Sequence, residues 1–265
     1  MKTILITGST DGIGKLAAIK LAKDKHQIIV HGRNSEKLEK TITEIKQLSS
    51  NEKINGFVSD LSDFSSIKKM TTELTEAYSK IDVLINNAGV FKSSVAQNQD
   101  GLDLRFAVNY FAPYLLTKGL ISILKNSHVP RIINLSSAAQ STVSLEALKG
   151  NEPLSSQEAY AQSKLALTMW SFHLAKKFDF LNIIAVNPGS LLNTNMVKEA
   201  YGHHWSPADK GANILYELAT LDKFDDSNGK YFDNDKGFFS DAHNDAYNQE
   251  KITQLVSETD KILNA

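Results

Sequence analysis

A chain of 265 residues, 42% hydrophobic and 22% charged, is long enough to bury a large core in one α/β domain and is composed like an ordinary soluble globular protein. A net charge of −1 removes the electrostatic case for nucleic acid or an anionic membrane as partner, and the absence of cysteine excludes disulfides, thiolate catalysis and Cys-ligated zinc. No apolar run approaches a membrane span and the N-terminal run "TILIT" is too short for a signal peptide, so a cytoplasmic enzyme is expected.

Strand and helix patterns alternate from the first residue. "TILIT" reads as a strand, and "IGKLAAIKLAKD" follows with helical spacing of Ile13, Leu16, Ala17, Ile19 and Leu21. "QIIVHG" is a second strand, followed by the helix "SEKLEKTITEIKQL" with Ser35 as its expected cap. "KINGFVSD" is a third strand, "DFSSIKKMTTELTEAY" a helix, and "IDVLINNAG" a fourth strand. A long helical segment covers roughly 100–126, "RIINLSS" is a fifth strand and 157–179 a helix. "LNIIAVNPG" is a sixth strand, "PADKGANILYELAT" a helix, "GKYFD" a seventh strand and 246–263 a tail helix. Such alternation predicts a parallel sheet of about seven strands covered by helices on both faces, wound in two directions by right-handed crossovers. No linker or repeat interrupts it, so one domain over 1–265 is expected.

The turn "TGSTDGIGK" joins the first strand to the first helix and carries Gly8, Gly12 and Gly14. The GxxxGxG spacing differs from GxGxxG, but the mechanics are shared. Glycine allows the tight turn and the approach of backbone amides to a phosphate, and the helix N-terminus offers free N–H groups to a pyrophosphate. An acid at the end of the second strand would favour NAD(H). Here that place reads His31, Gly32, Arg33, Asn34. Arg33 can fork onto a 2′-phosphate, and Ser9 and Thr10 can add hydroxyls, so NADP(H) is expected over NAD(H).

The opening question for catalysis is a spacing. Tyr160 and Lys164 in "EAYAQSKLAL" stand one helical turn apart, but Tyr114/Lys118 and Tyr247/Lys251 share that spacing. Only Tyr160/Lys164 lies between a strand ending in Ser-Ser and one ending in Pro-Gly, whose carboxyl ends border the ligand crevice of a doubly wound sheet.

Taken in order, these motifs resemble the short-chain dehydrogenase/reductase family over about 1–235. "TGSTDGIG", "SDLSD", "NNAG", "VNYFAPYLLT", "INLSS", "YAQSK" and "VNPG" occur at the expected strand and helix ends. The resemblance implies a Rossmann fold and an NAD(P)-dependent oxidoreductase. It assigns Asn109, Ser137, Tyr160 and Lys164 as the catalytic set, with Ser136 structural. It places Gly8, Ser9, Thr10, Gly12, Ile13, Gly14, Arg33, Asn34, Asp60, Leu61, Asn87, Ala88, Gly89, Pro188, Gly189 and Thr194 around the cofactor, with Tyr160 and Lys164 also touching it. Asp60 would accept from the adenine amino group and Asn109 would hold a water linking Lys164 to solvent. Thr194, one residue later than the usual pattern, would bind the carboxamide.

The chemistry explains the residue types. Hydride arriving at a carbonyl builds negative charge on oxygen, which needs a proton. A free tyrosine titrates near pH ~10; a neighbouring ammonium favours the phenolate and lowers that value, so Tyr160 can give a proton in reduction and take one in oxidation. Ser137 would donate to the same oxygen.

Ser137 and Tyr160 are 23 residues apart, longer than in the family's commoner form and resembling the retinol dehydrogenase and protochlorophyllide reductase branches. The extra piece lies within "AAQSTVSLEALKGNEPLSSQEA" and is either a wall at the mouth of the site or an inert surface loop. Residues 190–207, rich in apolar and aromatic side chains, are the expected substrate lid, with a hydrophobic ketone, aldehyde or alcohol as substrate. Met196, Val197 and Trp205 could instead pack on the core. His203 and His204 lack a metal-ligand spacing, and no metal is expected. Two rival functions remain: reduction of a C=C bond, as in the protochlorophyllide reductase branch, and NADPH sensing without turnover. A homo-oligomer through the helices carrying Asn109 and Tyr160 is a further expectation from the resemblance.

Overall fold

Runs of aliphatic and β-branched residues form the strands of the computed structural model, which describes residues 1–264. They are β1 (Thr3–Ile6), β2 (Gln27–Gly32), β3 (Ile54–Val58), β4 (Val83–Asn86), β5 (Arg131–Leu135), β6 (Asn182–Asn187), β7 (Lys230–Asp233) and β8 (Phe238–Phe239). The order across the sheet is β3-β2-β1-β4-β5-β6-β7-β8. The first seven are parallel, with Ile4 opposite Ile28 on one side and Val83 on the other. The expected parallel sheet is therefore present. The sequence reading missed β8, an antiparallel pair of residues too short to leave a periodic signal.

The helices are α1 (Gly12–Lys23), α2 (Ser35–Ser49), α3 (Phe64–Ala77), α4 (Leu104–Phe106), α5 (Ala112–Leu124), α6 (Leu145–Leu148), α7 (Ser156–Lys177), α8 (Asn195–Tyr201), α9 (Ala208–Thr220) and α10 (Gln249–Asn264). Apolar residues of α1, α2 and α9 pack on one face of the sheet, and those of α3, α5, α7 and α10 on the other. Every residue of β1, β4, β5 and β6 is buried, as strands covered on both faces require. Among the described residues no helix is long and apolar enough to cross a membrane.

Several boundaries differ from the sequence reading. The cap of α2 is Asn34, whose Oδ1 accepts from the Lys37 amide at 2.8 Å; Ser35 is the first helical residue. The segment expected as one helix from about 100 begins at Leu104, and a π turn, Ala107–Phe111, separates α4 from α5. Pro113 explains the wide turn: it has no amide to give the Asn109 carbonyl, and the Ala112 amide reaches back to Ala107 O. The insertion after Ser137 folds into α6, which buries Ala147 and Leu148 in the core. α10 lies against α5 and α7: Tyr110 and Thr259 share a buried hydroxyl–hydroxyl bond of 2.8 Å, and Tyr114 Oη donates to Asp260 Oδ1 at 2.8 Å.

β1 has β2 on one side and β4 on the other, so chain direction across the sheet reverses there. The crossovers leave to opposite faces and a crevice opens at the carboxyl ends of the strands.

Candidate active site

A cavity of about 610 Å³ occupies that crevice. It runs past the ends of β2 and β3 (Arg33, Asp60), β1 (Gly8) and β4 (Ala88), and on to Tyr160, Lys164 and Pro188.

At the glycine turn the fit is steric. Gly8 has φ +62°, and a Cβ there would lie 2.8 Å from Ala88 Cα. A Cβ on Gly14 would lie 2.3 Å from Asn87 Nδ2 and 2.8 Å from Gly8 O. Asn87 Nδ2 fills that space, donating to Thr7 O at 2.8 Å and Gly8 O at 3.0 Å. The turn is thus pinned from below, and the N-terminus of α1 opens at the cavity through Gly12 and Ile13. A cradle that side chains would fill, set at a helix N-terminus beside Arg33, suits a phosphate-bearing dinucleotide.

His31, which the sequence reading left unassigned, crosslinks this turn. Its Nδ1 accepts from the Gly8 amide at 3.0 Å and its Nε2 lies 3.0 Å from Ser59 O. Burial pushes its pKa down to about 4, so the ring is neutral, with the proton on Nε2. No sequence signal distinguishes it from any other strand histidine.

Most of the proposed cofactor residues line the cavity: Gly8, Thr10, Gly12, Ile13, Arg33, Asp60, Leu61, Asn87, Ala88, Gly89, Pro188, Gly189 and Thr194, with Tyr160 and Lys164. Three do not. Ser9 is fully buried, with Oγ donating to Ile6 O at 2.8 Å and accepting from the His31 amide at 2.9 Å, so it braces the turn instead of offering a hydroxyl to a ligand. Asn34 spends its side-chain carbonyl as the cap of α2. Gly14 lies beneath the turn, where its role is the missing side chain. Asp11, unassigned from sequence, does face the cavity. It caps α1 through Gly12, pairs with Lys37 Nζ at 2.8 Å and accepts from Asn195 Nδ2 at 2.9 Å. Asn195 opens α8, so the segment expected as a lid touches the glycine turn. Thr194 caps α8, its hydroxyl accepting from the Val197 amide at 3.3 Å.

At the other end the ring of Tyr160 packs against Phe91 with centroids 4.9 Å apart, and Lys164 Nζ lies 5.6 Å from the Tyr160 ring centroid. The capping box of Ser155 and Glu158 starts α7 just before Tyr160 and so sets the helical phase that places the pair. Lys164 is 4% exposed and donates to Leu135 O at 2.7 Å. Burial alone pulls its pKa down to about 7.

The other two pairs with the same spacing are engaged elsewhere. Tyr114 donates to Asp260, and Lys118 Nζ lies 3.8 Å from the same carboxylate. Tyr247 Oη accepts from the Ala242 amide, and Lys251 Nζ donates to Asp245 Oδ1.

Asn109 sits in the π turn behind the cavity, 1% exposed. Its amide clamps Val90, accepting from Val90 N at 2.8 Å and donating to Val90 O and Ser163 Oγ at 3.0 Å each. A Cβ on Gly89 would meet both Asn109 Oδ1 (3.3 Å) and Lys164 Nζ (3.5 Å), so the three groups converge. Ser136, expected to be structural, lines the cavity and is tied to Thr168 Oγ1 at 2.7 Å, whereas Ser137, the serine expected in the site, is half-buried beyond that lining, its Oγ accepting from the Ala139 amide at 3.1 Å.

Phe91, which packs on Tyr160, and Leu104, Val108, Met196 and Val197 contribute apolar side chains to the cavity lining. Trp205 is 76% exposed and stacks loosely with His203, centroids 5.8 Å apart, so it neither lines the cavity nor joins the core. No residue of the insertion after Ser137 lines the cavity either.

A glycine cradle at one end of a crevice and a tyrosine–lysine pair at the other define a dinucleotide-dependent oxidoreductase. Residues 2–204 match the short chain dehydrogenase family, and the chain belongs to it, with the retinol dehydrogenase-like branch. It is 29% identical to human polyprenol dehydrogenase over 282 aligned residues, covering 97% of this chain and 84% of that protein. It is 31% identical to human retinol dehydrogenase 13, covering 88% and 76% respectively. A short chain dehydrogenase of Shigella flexneri 2a, solved with NADP, superposes with a TM-score of 0.72 at 26% identity, covering 88% of this chain and 97% of that one. The chain is thus an NAD(P)-dependent oxidoreductase.

Proposed function

We propose that the protein is an NADP(H)-dependent oxidoreductase that interconverts a carbonyl and an alcohol on a hydrophobic substrate. The observation that carries this reading is that Tyr160 and Lys164 share one cavity with the glycine turn and Arg33. The cofactor, when bound, supplies or accepts the hydride.

The chain's own residues do the rest. The glycine turn and the α1 N-terminus would hold the pyrophosphate, Asp60 and Leu61 would hold the adenine end, and Arg33 would bind the 2′-phosphate. Asp11, a carboxylate of the same cavity lining, is paired with Lys37, which would limit its repulsion of that phosphate. A structural neighbour was solved with NADP, which supports nicotinamide dinucleotide binding in this crevice. Tyr160 exchanges the proton with the substrate oxygen. Lys164 favours the phenolate and would hold the ribose hydroxyls. Ser137, whose Oγ accepts from Ala139 N, keeps its own proton to donate to the substrate oxygen. Asn109 keeps Val90 and the cavity wall in place, and by the family resemblance would hold a water behind Lys164. The apolar lining from Phe91, Leu104, Val108, Met196 and Val197 suits a hydrophobic substrate, in line with the names polyprenol and retinol dehydrogenase among the relatives.

The test is a panel of hydrophobic aldehydes and ketones with NADPH oxidation as readout. Tyr160→Phe should lose at least about 100-fold in kcat while its NADPH affinity, read by fluorescence, stays within about twofold. NADPH binding with no carbonyl turned over by the wild type would overturn the reading, as would a Tyr160→Phe variant near the wild-type rate.

A further inference from the structure

Residues 205–265 lie beyond the family match, yet they reach the segment that carries Ser137. The β5–β6 ladder ends at Leu135 opposite Val186, so sheet pairing no longer holds the chain at Ser137. Two side chains take over. Tyr231 Oη, from β7, donates to Ser137 O at 2.9 Å, and Gln140 Nε2 donates to the same oxygen at 2.8 Å. Both lone pairs of that carbonyl are used.

Gln140 is itself held from the C-terminal segment, its Oε1 accepting from the His243 amide at 3.2 Å. Because an amide N–H only donates and a backbone carbonyl only accepts, these two bonds fix which end of the Gln140 amide points which way. Two residues on, Thr142 Oγ1 donates to Asp245 Oδ2 at 2.7 Å, and Asp245 Oδ1 accepts from Lys251 of α10 at 2.8 Å. α10 is anchored in turn on Tyr110 and Tyr114 of the π turn and α5. Tyr231 is 4% exposed, and burial raises its phenol pKa, so it remains a donor at neutral pH.

We propose that Gln140 and Tyr231 are positioning residues for Ser137, and that through them the C-terminal segment sets the geometry of the active site. This rests on the role of Ser137 proposed above. A serine hydroxyl turns about one bond, so where its oxygen can lie is decided by the backbone beneath it. Misplacement by about 1 Å costs up to about 100-fold in rate. A merely structural role would lower stability and leave turnover of the folded protein unchanged.

The experiment compares Tyr231→Phe, Gln140→Leu, their double variant and Ser137→Ala. With the best carbonyl from the panel above, each single positioning variant should lose about five- to tenfold in kcat and the double variant more, with KM for NADPH unchanged. Hydrogen exchange by mass spectrometry should show faster exchange across 136–142 in the same variants, and this readout needs no substrate. If Ser137→Ala keeps its rate, the assignment of that serine falls. If Ser137→Ala is slow while Tyr231→Phe and Gln140→Leu keep wild-type kcat, or if exchange across 136–142 is unchanged, the positioning role is overturned.

Discussion

Lys164 shows how one side chain ties burial to chemistry. An ordinary lysine titrates near ~10.4. Here burial brings the pKa to about 7, because the ammonium has left water and its hydrogen bond to Leu135 O is to a neutral carbonyl. In the protein without cofactor, Lys164 therefore holds its proton below pH 7 and loses it above. An anionic dinucleotide favours the protonated form, so cofactor binding raises this pKa again. NADPH affinity should accordingly weaken between pH 6 and 8.5, and binding at pH 8 should take up a proton, seen as a calorimetric heat that changes with buffer ionisation enthalpy. Lys164→Met should remove both effects. A buffer-independent heat at pH 8 would contradict this account. The Tyr160/Lys164 pair was legible in the sequence because the strands around it end in Ser-Ser and Pro-Gly. The neutral His31 strap was not, because its meaning depends on Gly8 and Ser59 arriving from two other strands.

The glycine turn is best understood as an element. Its shape is enforced by the next loop, since Asn87 occupies the space a side chain at position 14 would need. Gly14→Ala would force Asn87 off Thr7 and Gly8, and overpacking of this kind costs about 1–3 kcal/mol. Isothermal titration should show NADPH binding weakened by at least about tenfold, equivalent to about 1.4 kcal/mol, with the circular dichroism spectrum retained. Unaltered affinity would mean that the turn tolerates the extra carbon. Strands buried on both faces were readable as short apolar runs, and α1, α2, α3 and α9 as periodic ones. What escaped were elements set by tertiary contact. α6 is four residues long and exists where Ala147 and Leu148 find the core. The π turn follows from Pro113, but that proline also fits the start of an ordinary helix, as it does at α5.

Across the whole molecule, α10 changes what the chain can meet. The resemblance leads one to expect a homo-oligomer paired through the helices that carry Asn109 and Tyr160. In this chain Tyr110 and Tyr114 on that side are already bonded to Thr259 and Asp260, and Ile252 and Leu255 are buried in the same core. Pairing through that face would have to displace α10. Sedimentation equilibrium at micromolar concentration should therefore give the mass of one chain; a stable dimer that protects α5 and α7 from hydrogen exchange beyond the protection α10 provides would refute this. The tail helix was visible in the sequence as a helix, but its docking partner was not, since sequence periodicity marks an apolar face without saying what covers it.

The hydrogen bond from Asn195 to Asp11 carries a kinetic consequence. It ties the start of α8 to the glycine turn, with Thr194 facing Gly12 alongside. A dinucleotide laid along the cavity would pass between these residues, and on the function proposed above the second substrate would then arrive after it and leave before it. Steady-state turnover should then follow a compulsory sequence, with the oxidised dinucleotide competing against the reduced one while the organic product does not.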